Sequence, residues 1–285
     1  MNYRHAYHAG NFADVLKHAL LVRLIRSMQR KDKGFLFVDS HAGRGRYDLE
    51  QASVGDSRER TPEWPEGIGR LWRRAELPAE VADYVGLVRG FDLGHGNLTP
   101  EPRFYPGSPR IAKALARPQD RLDLWEKHPE ECGALRDEFH GERRVSVHGA
   151  DGYGALRACL PPPERRALVL IDPPFESASE WEQIAAAMDE GLRRLPGGTY
   201  AVWYPLSGRV PVGGYLDSLR LAGLPSFVAE LSVAPAGPGI SGCGVLVVNP
   251  PWKVDGEARV IVDYLATALD RGQEAQGSVR WIVPK

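Results

Sequence analysis

Five apolar residues in a row, Ala167-Leu-Val-Leu-Ile171, run without a break into Asp172-Pro-Pro-Phe175. An uninterrupted apolar run suits a strand buried on both faces, the setting of a parallel sheet with helices above and below. Proline has no backbone N–H and is excluded from a central strand, so Pro173 and Pro174 end it in a rigid turn. A chain built around this segment is expected to be α/β.

The remaining pattern agrees. Val15, Leu16, Ala19, Leu20, Val22, Leu24 and Ile25 predict an amphipathic helix over residues 12–30, with Lys17, Arg23, Arg26 and Arg30 on its polar side. Gly34 to Asp39 is a second apolar run, and it empties into the glycine loop Ser40-His-Ala-Gly-Arg-Gly-Arg-Tyr47. After residue 104, helices are expected at 109–116, 129–139, 153–159, 178–195 and 213–222. Strands are expected at 121–126, 145–148, 167–171, 199–204, 227–233 and 244–248. Repeated β-α-β units imply a mostly parallel, doubly wound sheet covered on both faces. Residues 48–103 differ: they are polar and proline-rich, with helices expected near 66–75 and 78–91 and no strand expected. The expected organisation is one domain from 1–47 and 104–285, with 48–103 as a small inserted helical subdomain.

Charge says little about partners. The 285 residues carry 36 basic and 37 acidic side chains, so no global field attracts polyanions, and any nucleic-acid contact must use local patches. Seven lysines leave 29 arginines, whose planar forks suit phosphates and stack on bases. Cys132, Cys159 and Cys243 stand far apart, which argues against a zinc site or a disulfide framework. With no apolar leader core and no run of about 18 apolar residues, a soluble cytoplasmic protein is expected.

The chemistry is expected where strands end. The loop His41-Ala-Gly-Arg-Gly45 lets a backbone approach a ligand closely, but Asp48 stands where a dinucleotide fingerprint would have its third glycine. Glu126, closing the second main strand, suits both hydroxyls of a ribose or a place on the surface. Asp151, in Gly149-Ala-Asp-Gly152, suits the amino group of a cofactor's adenine or a helix N-cap. The corner after Ile171 answers a narrower problem. An aromatic amine is a weak nucleophile because its lone pair is delocalised into the ring. Acceptors against its two N–H groups favour a pyramidal nitrogen with a free lone pair. Asp172 and the Pro173 carbonyl are candidates for those acceptors, and Phe175 for the ring that stacks on the base, a contact worth roughly 1–3 kcal/mol. A base within a duplex must first be turned outward to reach such a pocket.

Two features compete for attention. Asn249-Pro-Pro-Trp252 repeats the same logic after a later apolar run and is expected to be a rigid strand terminus. The segment Asn2-Tyr-Arg-His-Ala-Tyr-His-Ala-Gly-Asn11 is dense in histidine and aromatics. Without a carboxylate pair or cysteines beside His5 and His8, no metal is expected. A flap over the site, with Tyr3 and Arg4 touching substrate, fits better, and Lys17 and His18 then lie on the helix that borders it.

These segments, in this order, resemble the amino-methyltransferases with a [DNS]PP[YFW] motif. More closely, the chain resembles the RlmJ family, which methylates N6 of an adenine in bacterial 23S ribosomal RNA. The resemblance runs through His8-Ala-Gly-Asn11, Ala13-Asp-Val-Leu-Lys-His18, Asp39 to Tyr47, Tyr105-Pro-Gly-Ser-Pro109, Glu126-Lys-His-Pro129, Ile171 to Phe175, Tyr200 to Pro205, Val248 to Lys253 and Trp281-Ile-Val-Pro284. It implies a Rossmann-like class I methyltransferase sheet, S-adenosylmethionine (SAM) as cofactor, 23S RNA as partner and a monomer. It implies SAM contacts from His18, His41, Ser108, Glu126, Asp151, Gly152 and Asp172. It makes Asp172 catalytic beside Pro173 and Phe175, and puts Tyr3 on the substrate side with Lys17 near the flap. The family's motif usually ends in tyrosine, so Phe175 keeps the stacking face and lacks the hydroxyl. Other functions stay open on the residues alone: a DNA-adenine or protein-glutamine methyltransferase of the same fold, a dehydrogenase, and a non-catalytic RNA-binding module using Arg23, Arg26, Arg30, Arg44 and Arg46.

Overall fold

The computed structural model describes residues 7–50, 61–177, 179–207, 212–219, 221, 223–234, 240–272 and 274–284. The first helix, α1 (Phe12–Met28), starts at Asn11, whose side-chain oxygen accepts from the Ala13 and Asp14 N–H groups. Of its residues only Arg26 is exposed, which corrects the amphipathic expectation. The helix is buried on nearly every side because the sheet, α4 (Ser108–Leu115), α9 (Val254–Leu269) and α3 (Ala79–Gly94) surround it. Lys17, expected on the polar side, is interior.

Strands β1 (Leu36–Asp39), β4 (Arg121–Trp125), β5 (Val145–His148), β6 (Ala167–Ile171) and β7 (Thr199–Ser207) are parallel. Strands β8 (Ser226–Ser232), β9 (Ile240–Val248) and β10 (Gln276–Val283) extend the sheet by antiparallel pairing. The order is β10-β8-β9-β7-β6-β1-β4-β5. The chain moves outward from β1 through β4 to β5, then returns to place β6 on the other side of β1. Such a reversal opens a crevice beyond the carboxyl ends of β1 and β6, which makes the fold Rossmann-like. The sheet is less parallel than expected, and α9 and β10 lie beyond the last strand that the sequence outline predicted.

The period of two along β6 divides the core. Leu168 and Leu170 pack with α1, α4 and α9 on one face. Ala167, Val169 and Ile171 pack on the other with α6 (Ala155–Cys159), α7 (Glu180–Arg194) and α8 (Val212–Ser218). Both faces are covered, as the unbroken apolar run requires.

A short ladder, β2 (Arg46–Asp48) with β3 (Phe104–Pro106), closes the base of the 48–103 segment. Its described part holds α2 (Ile68–Trp72) and α3. Ile68, Leu71, Val81, Tyr84, Val85 and Val88 are buried in the same cluster as α1 and α9, so the segment shares its apolar core with the sheet domain. Among the described residues, no helix is long and apolar enough to cross a membrane.

Candidate active site

The corner after β6 combines a carboxylate with a fixed ring. Phe175 has φ +50°, a conformation that a bulky side chain rarely adopts. Packing holds it there: its ring meets Trp181 edge-on at 5.0 Å and Trp203 at 5.7 Å. Trp181 in turn stacks on Tyr215 at 4.3 Å. Edge-to-face and offset contacts are the preferred aromatic arrangements, so the corner is braced from two sides.

Asp172 is 13% exposed and accepts a hydrogen bond from Lys17 Nζ at 2.5 Å. Lys17 also lies 2.8 Å from Asp14, one turn earlier on α1. Burial pulls the Lys17 ammonium down, but Asp14 and Asp172 outweigh it and hold the group well above its ordinary value. The lysine therefore stays a cation. Next to it, His18 Nδ1 bonds the Tyr105 hydroxyl at 2.7 Å, and Tyr105 bonds Tyr84 at 2.8 Å. Burial raises both phenols, so they remain neutral.

The tips of β1, β4 and β5 face the same space. Asp39 is fully buried and accepts a hydrogen bond from Ser108 Oγ at 2.6 Å. Burial pushes its carboxyl up to about 7, and Asp172 adds to the rise while Ser108 and Lys17 oppose it. Burial likewise pulls the His41 imidazole down to about 4, so it is neutral at physiological pH. Glu126 accepts the Gly43 N–H at 2.8 Å and the His128 N–H at 2.7 Å. One lone pair on each oxygen remains, which suits paired hydroxyls. Asp151 accepts the Tyr153 N–H at 3.1 Å and meets Lys127 at 3.1 Å. Burial raises the Asp151 carboxyl, but these partners outweigh it and the group lies below its ordinary range. Gly152 follows under a hard constraint: a Cβ there would lie 1.6 Å from the Ser40 carbonyl oxygen.

His18, His41, Ser108, Glu126, Asp151, Gly152, Asp172, Pro173, Phe175 and Lys17 thus line one cleft of about 2280 Å³. A usual small-molecule site is roughly 300–1,000 Å³, so this one has room for a cofactor and an incoming group together. Tyr3 and Arg4 lie outside the described residues. Further along, His8 and Asn11 are tied to Glu63, which accepts from Asn11 Nδ2 at 2.8 Å and pairs with His8 at 2.9 Å. Among the described residues no cluster of three or more His, Cys, Asp or Glu is arranged for a metal.

The second motif lies elsewhere. Val248 pairs with Tyr200 at the start of β7, whereas Ile171 pairs with Val202. Because β9 is antiparallel, Asn249 emerges at the opposite end of the sheet from Asp172. There its amide nitrogen donates to the Pro196 and Gly198 carbonyls at 2.8 Å each. Two groups were not singled out in the sequence: Asp14, which lines the cleft, and Asp39, buried against the lining residue Ser108. An acid three residues before a lysine on one helix face, and an acid closing a buried strand, were the available signals.

The donor set is chemically suited to a ribose, an adenine amino group and a reacting amine in one crevice. A family model described as Ribosomal RNA large subunit methyltransferase D, RlmJ matches residues 32–283. Ribosomal RNA large subunit methyltransferase J of Escherichia coli is 40% identical over 288 residues, covering 100% of both chains. The Haemophilus influenzae protein of the same name is 38% identical over 288 residues, again with 100% of each chain covered. A crystal structure of a Legionella pneumophila protein superposes with a TM-score of 0.85 at 35% identity, covering 96% of this chain and 98% of that one. With a family match across most of its length and full-length relatives near 40% identity, this chain belongs to the RlmJ family of ribosomal RNA large-subunit methyltransferases.

Proposed function

We propose that this protein transfers a methyl group from SAM to N6 of an adenine in 23S ribosomal RNA. The observation that carries this is the placement of Asp172, Pro173 and Phe175 on one braced corner that lines the cleft. When bound, SAM supplies an electrophilic methyl on a sulfonium. The chain's residues do the rest. Glu126 and Asp151 hold the ribose and adenine of the cofactor, with His18, His41, Ser108 and Gly152 along its length. Phe175 stacks on the turned-out base. Asp172 and the Pro173 carbonyl accept the two amine N–H groups, which localises the lone pair on nitrogen. Asp172 then helps the surplus proton leave toward water. Holding the nitrogen close to the methyl replaces a bimolecular encounter, and that placement supplies much of the rate.

Tyr3, Arg4 and Lys17 are proposed to meet the substrate from the N-terminal side, with residues 48–103 as the inserted subdomain beside them. The proposed setting is a cytoplasmic monomer acting on RNA. Support comes from the names of the full-length relatives, which specify large-subunit ribosomal RNA. The test is transfer of radiolabelled methyl to total RNA from a strain lacking this gene, followed by digestion to nucleosides. Label in N6-methyladenosine is expected. Label only in cytosine, DNA or protein would refute the substrate assignment.

A further inference from the structure

Asp14 has no part in the steps just described, yet it is 3% exposed beside a buried ammonium. Lys17 Nζ sits 2.8 Å from Asp14 Oδ1 and 2.5 Å from Asp172 Oδ2. Asp14 Oδ2 accepts the Gly10 N–H at 2.9 Å, so the carboxylate is anchored on its far side. His18 Nε2 faces Asp14 Oδ1 from 3.9 Å, and Asp39 and His41 lie within the electrostatic reach of Asp172. The Asp14–Lys17–Asp172 group holds one cation between two anions and carries net charge −1. Were Asp14 neutral, the ammonium would belong to Asp172 alone and the pair would carry no net charge. A carboxylate wholly engaged by an ammonium is a poorer acceptor for an incoming amine N–H.

We infer that Asp14 is a positioning residue that shares the Lys17 ammonium with Asp172, so that the catalytic carboxylate is oriented without being fully neutralised and keeps negative charge toward the cleft. The inference rests on the adenine-amine function proposed above. It gives Lys17 a second task, to orient Asp172 without neutralising it.

The test is Asp14→Asn, which keeps an oxygen for Gly10 N–H and removes only the charge. The kcat for methyl transfer to RNA is expected to fall roughly 10- to 100-fold, the worth of one charge-assisted hydrogen bond. The KM for RNA and the SAM affinity measured by calorimetry should stay near wild type. A role in anchoring Gly10 alone would leave kcat per folded molecule unchanged, and that result overturns the inference. Because Asp14 acts through Lys17, the double variant Asp14→Asn/Lys17→Met should be no slower than Lys17→Met alone, whereas a further independent loss overturns the inference. If Asp14→Asn fails to fold, this second comparison decides, since it removes the stranded cation too. Wild-type protein that methylates no RNA would sink the functional assignment first and the inference with it, a result distinct from an active wild type with an indifferent Asp14→Asn.

Discussion

Two proline corners in this molecule share a pattern and differ in everything that follows from position. Asp172-Pro-Pro-Phe175 ends a parallel strand beside the topological reversal, and its carboxylate meets Lys17 at the cleft. Asn249-Pro-Pro-Trp252 ends an interior antiparallel strand at the opposite end of the sheet, and its amide ties this corner to the turn that holds Pro196 and Gly198. Each corner has a residue at positive φ, Phe175 in one and Asn249 in the other. In the first, the unusual backbone fixes a ring facing a pocket. In the second, it fixes an amide that ties structure together. Strand direction, which no short motif encodes, separates a chemical corner from a mechanical one.

The largest test of this contrast is Asp172→Ala. It should lower methyl transfer by roughly 10³-fold or more while leaving SAM affinity nearly intact. Turnover close to wild type from that variant would erase the distinction between the corners. A second effect should belong to the cleft end only. Asp39 has its carboxyl raised from 3.8 to about 7. Below this window both folded and unfolded chains hold the proton. Within it only the folded chain does, so the group's contribution to stability falls as pH rises, by up to about 1.4 kcal/mol per unit, and is gone above the window. Asp39→Asn should remove this slope from thermal melts compared with wild type, and parallel curves for the two proteins would contradict the buried-carboxyl assignment.

At the far corner, Asn249→Ala should destabilise the fold by about 1–3 kcal/mol, because the Pro196 and Gly198 carbonyls lose their donor. Specific activity of the folded fraction should not change, and a selective loss of kcat there would blur the contrast. The aromatic members of the two corners should differ as well. Phe175→Ala should weaken kcat/KM for RNA by roughly 1–3 kcal/mol of lost stacking. Trp252 is 69% exposed, and its removal should shift stability by less than about 0.5 kcal/mol with no kinetic effect.

How far the fold could be read from the sequence depended on how local the signal was. The bounds of β5 and β6 matched because each is bracketed, β5 by Arg144 and Gly149 and β6 by Arg166 and the Asp172-Pro turn. The burial of α1 was hidden, since Lys17 looks like a surface residue until Asp172, 155 positions away, supplies its partner. Helix α9 carries a readable stripe, Val254, Ala258, Ile261, Val262 and Leu265, but it follows two prolines that suggested an ending. Strand β10 is an edge strand whose residues are mostly half-buried, so its alternation is faint. At the site, Asp172 and Glu126 were legible as acids closing strands. Asp14 and Asp39 were not singled out, because their importance comes from charges that the fold brings together from distant segments.

The position of α1 has a consequence for how the protein is made. This helix emerges from the ribosome well before α9, yet it packs against α9, and its Arg23 and Arg30 pair with Glu257 on that helix at 2.9 and 2.8 Å. A nascent chain cannot finish this layer until α9 has been made, so an apolar helix must wait, shielded by collapse or by chaperones, for a partner over 200 residues downstream. Chains stalled before Val254 should therefore remain open to proteases at α1, and early protection of α1 in such chains would show that it finds a substitute cover.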